Sequence, residues 1–550
     1  MRALSIFISI IALLTFGCKP KEKLTLAALQ EKEANFDWNR ATVYFLMTDR
    51  FYNGDKSNDF LAPVLAAPLR GFMGGDVAGI TQKIEEGYFT DLGVDAIWMT
   101  PLFENIAEGV DEGTGLSYGF HGYWIRDWTA YDKRIGTKAD IKKMVDAAHA
   151  KGIKVLFDVV LNHTGPVTLT DTKWPDDWVR TSPKCTYSDY RSTTSCTLVE
   201  NLPDILTSSE RSVELPPHLV TKWKKEGRYD QEIAELNSFF KRTGYPRAPK
   251  YYIIKWLTDL ISDFGIDGYR VDTAKHLEEE VWSMLRKEAD YTHGLNQKNQ
   301  ANVNQKKIPF YMVAEVYNYY ASGGLDFNFG DKKVNYYDYG FDAMINFDFK
   351  GAAKGSYQQL FDKYHIYTNS ILKGKGLVNY ISSHDDGDPY DAARTKTYES
   401  TNKLMLAQGQ AQIYYGDESG RKLDAEAAGD AKLRSFMNWS DLKGANKNLY
   451  QHWQKLGLFR QNHPSIALGL HHNIQSSPYI FARKYDEKGM SDQVVVGLDQ
   501  PKGVKTITIG EVFEEGTDLL DYYSNKKVKV VNSTVTLDTP YDIVLLQKVK

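Results

Sequence analysis

Eight short apolar runs alternate with amphipathic stretches along most of this chain, and this alternation restricts the fold more than any other feature. The runs are rich in β-branched and aromatic residues and span 43–49, 94–102, 154–163, 266–273, 310–316, 342–349, 377–384 and 411–418. Segments between them have helical periodicity, as in 138–151. Repeated strand–helix units indicate a parallel sheet, and eight units predict a (β/α)8 TIM barrel of the α/β class. A doubly wound open sheet is the alternative.

Two segments depart from the alternation and predict further domains. About 85 residues, rich in Pro, Ser, Thr and Trp, follow His163 before the next helix near 251–264, too many for a loop. After a helical stretch at 449–462 the pattern changes to period-two strands at 479–484, 493–498, 505–509, 527–531 and 534–537. We therefore predict a barrel over 38–163 and 250–466, a domain inserted after strand 3 over 164–249, and a C-terminal antiparallel β-sandwich over 467–550.

The N-terminus has the pattern of an export signal. Arg2 precedes an uncharged apolar run at 3–17, and Cys18 follows at once. This run is too short to span a bilayer comfortably and predicts the core of a signal peptide. The end of the run resembles a bacterial lipoprotein signal, in which the cysteine is lipidated; ordinary cleavage with Cys18 incidental is the alternative. We expect a signal at 1–18, a charged tether at 19–37, and a protein anchored by lipid to the outer membrane, facing the periplasm or the cell exterior.

The other two cysteines predict a local disulfide. Cys185 and Cys196 are eleven positions apart in a polar stretch of a chain expected to be exported. A metal pair is disfavoured because no cluster of His and Cys accompanies them.

Charge and composition exclude some classes of partner. The formal net charge is −4 and the pI is about 6.3, whereas nucleic-acid binding requires a strongly basic surface. Aromatic residues make up 13% of the chain; their flat faces suit sugar rings, although most aromatic residues fill cores.

Polar residues at the carboxyl ends of the predicted strands would converge on one mouth of the barrel. They are Asp158, Asn162, His163, Arg270, Asp272, Glu315, His384 and Asp385. One arginine cannot neutralise four acids, so a rim of purely structural ion pairs is disfavoured. Two carboxylates of opposite role are what glycoside hydrolysis requires. The sequence has no zinc-binding His-Glu-x-x-His, Gly-x-Ser-x-Gly elbow, Walker loop or dinucleotide fingerprint.

Four ordered segments resemble the signature regions of the α-amylase superfamily, glycoside hydrolase family 13. They are 158–163 (DVVLNH), 268–276 (GYRVDTAKH), 314–316 (AEV) and 383–385 (SHD). Segments 121–123 (HGY), 202–204 (LPD) and 413–418 (IYYGDE) agree, and the resemblance covers roughly 38–465. Segments 339–348 and 415–419 are most similar to the bacterial periplasmic branch of the family. One departure is Tyr317, where the family commonly has Trp.

The resemblance implies a role for each matching residue. Asp272 corresponds to the nucleophile, Glu315 to the general acid/base and Asp385 to a third carboxylate that binds ring hydroxyls. The implied substrate-binding residues are His121, Tyr123, His163, Arg270, Lys275 and His384. Arg270 is expected to keep Asp272 ionised, whereas Glu315, with no arginine in its motif, is expected to keep its proton. The implied activity is retaining endo-hydrolysis of α-1,4-glucosidic bonds in starch, glycogen or maltodextrins.

The resemblance also implies two Ca²⁺ sites, whose hard oxygen ligands suit this ion. One lies between the barrel and the inserted domain and uses Asn162, Asp204 and the backbone carbonyl of His276. The other resembles an additional site of cyclodextrin glycosyltransferases and comprises Asn53, Asp55, Asn58, Asp59, Gly74 and Asp76. A polar turn without an ion is the alternative for this second cluster.

Two other functions remain as alternatives. The first is a 4-α-glucanotransferase or cyclodextrin-forming enzyme using the same site; a chain with one C-terminal sandwich leaves no room for the extra starch-binding domains expected of the latter. The second is a non-catalytic glucan-binding protein, which would not need Glu315. We expect an α-glucan as the partner, a monomeric chain, and a sandwich that caps the barrel rather than binding glucan.

Overall fold

Eight parallel strands close into a barrel in the computed structural model, which describes residues 26–299 and 308–549. The strands, numbered β1 to β8, are Thr42–Leu46, Ala96–Met99, Lys154–Val159, Gly268–Val271, Tyr311–Ala314, Ala343–Asn346, Gly376–Asn379 and Gln410–Tyr414. Each strand pairs in parallel with its neighbours in this order, and β1 closes the barrel against β8. The predicted TIM barrel is confirmed, and the open sheet is excluded.

Each predicted apolar run overlaps one barrel strand, but the strands are shorter than the runs, and β1, β7 and β8 each begin one residue earlier. All residues of the eight strands are buried, as expected of parallel strands covered on both faces. Burial continues beyond the strand ends into loops, for example at Leu161, Tyr380 and Ile381. Apolar content therefore overestimated strand length, because these loops also pack into the interior.

Helices surround the barrel, and four of the seven begin with a capping side chain or a proline. The α-helices that follow strands are Val77–Glu85, Lys138–His149, Pro249–Phe264, Glu280–Asn299, Tyr357–Ile366, Thr397–Met405 and Lys447–Asn462. Thr137 and Asp140 form a capping box at the second of these, and Pro249 begins the third. The segment between β5 and β6, all of which is described, has no α-helix; it contains the 3₁₀ turns Ala321–Gly323 and Tyr336–Tyr339 and the strand pair Phe327–Asn328 and Lys333–Val334.

The long insertion lies between β3 and the helix Pro249–Phe264. It contains the paired strands Val179–Arg180 and Asp204–Ile205 and the helices Arg191–Thr194, Pro217–Glu226 and Tyr229–Thr243. Cys185 and Cys196 are joined by a disulfide with an S–S distance of 2.01 Å. The insertion is bonded to the barrel loops, since Lys222 contacts Glu104 and Asp127.

An antiparallel domain follows the helix Pro464–Leu468. Its strands are Leu470–Ser476, Tyr479–Glu487, Met490–Gly497, Gly503–Thr508, Asp518–Asp521, Lys526–Lys529, Thr534–Thr539 and Val544–Lys548. Six form one sheet and two, Gly503–Thr508 and Thr534–Thr539, form another, with a shared apolar core that includes Val495, Ile507 and Val535. Sequence patterning missed three strands: Leu470–Ser476, which is largely polar, Asp518–Asp521, which is very short, and Val544–Lys548.

Residues 26–40 differ from the expected tether. Leu26–Ala34 is a helix, and Glu33 contacts Lys154 at the amino end of β3, with an Oε1–Nζ distance of 2.9 Å. Trp38 stacks on Tyr311 at the amino end of β5 with ring centroids 4.1 Å apart. This segment therefore packs against the end of the barrel opposite the strand carboxyl ends. The predicted signal and Cys18 lie outside the described residues. Among those described, no helix combines the length and apolar character that crossing a membrane requires.

Candidate active site

The carboxyl ends of the barrel strands border a cavity of about 580 Å³. Eight of the nine predicted catalytic and substrate-binding side chains line it: His121, Tyr123, His163, Asp272, Lys275, Glu315, His384 and Asp385. The ninth, Arg270, is fully buried beside Asp158 in the register of β3 and β4. The structure thus brings together residues that are up to 264 positions apart, from His121 to Asp385.

Arg270 is the charged centre of the site. Its Nη1 donates to Asp158 Oδ1 at 2.9 Å and to Asp272 Oδ1 at 2.7 Å. Its Nη2 lies 3.0 Å from Glu315 Oε2. Because a single positive charge faces three buried carboxylates, these three acids cannot all be neutralised by ion pairing.

Glu315 departs from the sequence-based expectation, which gave it no arginine partner. The contact with Arg270 shows that expectation to be wrong, because β4 and β5 are adjacent strands and the guanidinium reaches across both. Burial nevertheless raises the pKa of Glu315 well above its usual value; Arg270 opposes this rise, while Asp272 and Asp385 add to it. Oε2 also accepts a hydrogen bond from the backbone N–H of Thr273 at 2.9 Å. Since both contacts are made by Oε2, the acid proton belongs on Oε1.

Asp272 uses its two oxygens differently. Oδ1 accepts the hydrogen bond from Arg270, whereas Oδ2 lies 3.8 Å from His163 Nε2, beyond hydrogen-bond distance. Burial lowers the pKa of His163, so this ring is neutral at neutral pH and adds no second positive charge beside Asp272. Oδ2 is therefore the oxygen available for reaction.

Tyr123 forms an aromatic wall that is fixed at both ends. Its ring stacks on His384 with centroids 5.4 Å apart and an angle of 18°, and its hydroxyl donates to Asp158 Oδ2 at 2.7 Å. His121 Nδ1 accepts the backbone N–H of Tyr123 at 3.1 Å, which fits its expected supporting position. Arg434 Nε donates to the backbone carbonyl of His384 at 2.8 Å. The wall is therefore preorganised.

The sequence did not predict several residues that line the cavity. Asp430 and Arg434, which form a 2.9 Å salt bridge, come from the loop after β8, and Glu112 comes from the hairpin Val110–Asp111 and Leu116–Ser117. Tyr187 lies inside the disulfide loop. No local pattern distinguishes these residues, because long loops bring them to the cavity. The four-residue spacing of Asp430 and Arg434 is compatible with an ion pair, but it does not place that pair at the cavity.

The first proposed Ca²⁺ cluster fits a cation. Asn162 Nδ2 donates to Asp204 Oδ2 at 3.2 Å, and both side chains are buried. Within the described chain Asp204 forms no salt bridge within 4.0 Å, and only the more distant charge of Arg180 opposes the effect of burial on its pKa. His276 is buried, and its Nδ1 lies 3.3 Å from the Thr193 carbonyl of the insertion. A hard cation at Asp204 would supply the missing charge.

The second cluster fits a cation only in part. Asn53 Nδ2 donates to Asp59 Oδ1 at 2.7 Å, and a Cβ at Gly74 would lie within 2.6 Å of both side chains, so the glycine permits this close approach. Asn53 Oδ1 and Asn58 Oδ1 are buried without a hydrogen-bond partner. In contrast, Asp76 accepts the backbone N–H groups of Gly54, Asp55 and Gly79. The Asp55 side chain accepts from Ser57. Over residues 26–299 and 308–549 no three His, Cys, Asp or Glu side chains are placed to hold a metal. Both clusters therefore need amide and backbone oxygens in addition to their carboxylates.

Comparisons with known proteins agree with this fold. The family model described as Alpha amylase, catalytic domain matches residues 45–448. A periplasmic α-amylase of Escherichia coli (strain K12) is 33% identical over 512 residues, covering 80% of this chain and 69% of that protein. The crystal structure of an Anoxybacillus α-amylase is similar in fold, with a TM-score of 0.66 at 22% identity, covering 94% of this chain and 100% of that one.

A fourth comparison bears on the domain count. A cyclomaltodextrin glucanotransferase described as having a three-domain ABC distribution has a TM-score of 0.64 at 22% identity, covering 93% of this chain and 99% of that one. An enzyme with that name can therefore lack extra domains. The number of domains therefore does not distinguish a cyclodextrin-forming enzyme from an α-amylase, contrary to the expectation from the sequence.

Proposed function

This chain belongs to the α-amylase family, and we propose that it cleaves internal α-1,4-glucosidic bonds of starch, glycogen or maltodextrins by hydrolysis with retention of configuration. The observation that carries the proposal is the pairing of Asp272 and Glu315 around Arg270 at the floor of one cavity. The two carboxyl groups differ in their surroundings: Arg270 Nη1 donates a hydrogen bond to Asp272 Oδ1 at 2.7 Å, while burial favours the protonated form of Glu315. This difference is what a nucleophile and a general acid need.

The residues support a two-step displacement. Glu315 gives its Oε1 proton to the glycosidic oxygen while Asp272 Oδ2 attacks the anomeric carbon, so the bond to the leaving chain breaks and a glycosyl ester forms. Glu315, now a carboxylate, takes a proton from water as the water oxygen attacks the same carbon. The ester bond to Asp272 then breaks, and Glu315 is again protonated. Retention follows from the two successive inversions.

The remaining cavity residues bind and orient the substrate. Tyr123 presents a fixed ring for stacking against the glucose being cleaved. Neutral His163 and His384 and the carboxylate of Asp385 offer hydrogen-bonding groups for its hydroxyls. Lys275 Nζ donates to the Tyr317 carbonyl at 3.0 Å and lies beside the cavity, where it can contact the leaving chain.

We further propose that Ca²⁺ binds at two sites, of which the first stabilises the inserted domain and the second the loop after β1. Asn162, Asp204 and the His276 carbonyl would hold one ion, and Asn53, Asn58, Asp59 and Gly74 would hold another. Bound Ca²⁺ would supply positive charge to buried oxygens and link the insertion to β3 and the loop after β4. Asp55 and Asp76 would order the second loop through the backbone N–H groups they already accept.

The location proposed for the enzyme is outside the cytoplasm, attached by lipid at Cys18 to the outer membrane. The relative from Escherichia coli is named periplasmic, which supports export. The described chain begins at the barrel end opposite the cavity, so an anchor preceding Leu26 would leave the cavity open to polymer.

A time course of products from soluble amylose tests the proposed reaction. With purified protein in calcium buffer, we expect a rapid fall in iodine staining and early linear oligosaccharides. Cyclic products or chains longer than the donor would instead identify a glucanotransferase, which is the second candidate because a cyclomaltodextrin glucanotransferase is 28% identical over 489 residues. A folded protein with calcium but no products would indicate a glucan-binding protein.

A further inference from the structure

Two exposed tyrosines from different domains are linked by a chain of ring contacts on the outer side of the barrel. Tyr398, in the helix Thr397–Met405, is 47% exposed, and Tyr541, just before the last strand, is 38% exposed. Tyr523 contacts Tyr541 with ring centroids 5.0 Å apart. His452 lies 4.9 Å from Tyr398 and 5.6 Å from Tyr523, so ring contacts join all three tyrosines. We call Tyr398, Tyr523 and Tyr541 the tyrosine patch; none of them lines the catalytic cavity.

Buried polar contacts hold the patch in place. His452 is buried, and its Nδ1 and Nε2 pair with the Tyr523 hydroxyl at 2.8 Å and with Asn402 Oδ1 at 3.0 Å. Lys455 Nζ donates to the Tyr523 carbonyl at 2.7 Å and lies 4.3 Å from the centre of the Tyr523 ring. These contacts hold the patch at its base, while Tyr398 and Tyr541 remain partly exposed to solvent.

Charged groups border the exposed rings. Lys455 Nζ also lies 5.0 Å from the centre of the Tyr541 ring. Asp542 is exposed, and its charge adds to the effect of burial in raising the pKa of Tyr398. Partly exposed aromatic rings with an ammonium and a carboxylate close by match a pyranose ring, which has apolar C–H faces and hydroxyls at its edge.

We propose that the tyrosine patch binds a segment of the α-glucan polymer outside the catalytic cavity. This inference rests on the proposed function, which supplies the glucan. Two half-exposed tyrosines offer on the order of 200 Å², whereas a stable protein interface needs about 800 Å² per partner. A sugar segment fits an area of this size. Tyr398 is the second residue of a helix that follows β7, so the patch lies on the flank of the barrel towards its cavity end.

Retention of the protein on insoluble starch granules, measured as the fraction that sediments with them, tests this site. We expect Tyr398→Ala and Tyr541→Ala each to weaken retention about threefold to tenfold, and the double variant to weaken it further. Tyr398→Phe keeps the ring and should retain binding close to that of the unaltered protein. Tyr291→Ala removes another exposed tyrosine, on the helix Glu280–Asn299, and is the matched control. The rate on a short soluble maltooligosaccharide should stay unchanged in all of these variants.

The outcomes separate this inference from the proposed function. Unchanged granule retention in the double variant, with normal hydrolysis of the soluble substrate, would overturn the patch and leave the function intact. A parallel loss of soluble activity or of Tm would also overturn it, because the tyrosines would then be structural. A change in oligomeric state on size-exclusion chromatography without a change in retention would identify a contact between copies instead. If the unaltered protein neither hydrolyses nor binds any α-glucan, the proposed function itself fails.

Discussion

Arg270 and Glu315 are in contact, with Nη2 of the guanidinium 3.0 Å from Oε2 of the carboxyl group. An arginine at this distance normally favours the ionised acid. Here the same guanidinium also bonds Asp158 and Asp272, and the site is buried, so desolvation outweighs the attraction. Arg270 thus orients Glu315 without fully ionising it.

The pH dependence should reflect this balance. Glu315 must be protonated to act as an acid, and its pKa is raised, so kcat/KM should be maintained above the usual range of a glutamate and fall as pH increases through the raised value. The measurement is a pH profile of kcat/KM on maltoheptaose. A rate that already falls between pH 4 and 5, around the ordinary pKa of about 4.3, would contradict the assignment.

Removing the acid should affect substrates according to their leaving groups. We expect Glu315→Gln to lower kcat on amylose by about 10²–10⁴-fold. An α-maltosyl fluoride should be affected much less in its first step, because fluoride leaves without a proton. Equal losses on both substrates would show that Glu315 is not the proton donor.

Asp272→Asn should abolish turnover because an amide cannot form the glycosyl ester. We expect kcat to fall at least about 10⁴-fold, with Tm and circular dichroism close to those of the unaltered protein. Asp146→Asn, at an exposed position on the helix Lys138–His149, is the matched control and should keep full activity. Appreciable turnover by pure Asp272→Asn protein would exclude this residue as nucleophile.

Calcium removal should destabilise the inserted domain. A site occupied at a hundredfold excess over its Kd adds about 2.7 kcal/mol, so EDTA should lower the Tm, and added Ca²⁺ should restore it. Asp204→Asn should remove most of the calcium response of the first site, and Asp59→Asn that of the second. If EDTA leaves Tm and activity unchanged and elemental analysis finds no calcium, both sites are refuted.

Opening the disulfide should loosen one wall of the cavity. Cys185 and Cys196 enclose Tyr187, which lines the cavity, and Tyr190, whose hydroxyl donates to Glu279 at 2.5 Å. We expect the double Cys→Ser variant to lose about 2–3 kcal/mol of local stability. Its KM should rise severalfold, while kcat should stay nearly constant because Tyr187 takes no part in the proposed bond-making and bond-breaking steps. A loss of kcat with unchanged KM would contradict this.

The barrel and its central residues were predictable because polar residues directly follow apolar runs in the sequence. Asp272 and Glu315 directly follow buried apolar strands, and parallel strands bring their carboxyl ends to one face. Asp430, Arg434 and Glu112 were not predictable, because their positions depend on the folding of long loops. The Arg270–Glu315 contact was missed for a related reason: it joins adjacent strands that are 45 positions apart in sequence. Residues 26–34 were misjudged as a tether because their contact with Lys154 is tertiary.

The anomeric form of the first product tests the central claim most directly. Proton NMR during early amylose cleavage, before mutarotation, detects new reducing ends and reports their configuration. The arrangement of Asp272 and Glu315 predicts new ends in the α form. New ends in the β form would show inversion by a water molecule and contradict Asp272 as the nucleophile, and an absence of new reducing ends would contradict hydrolysis altogether.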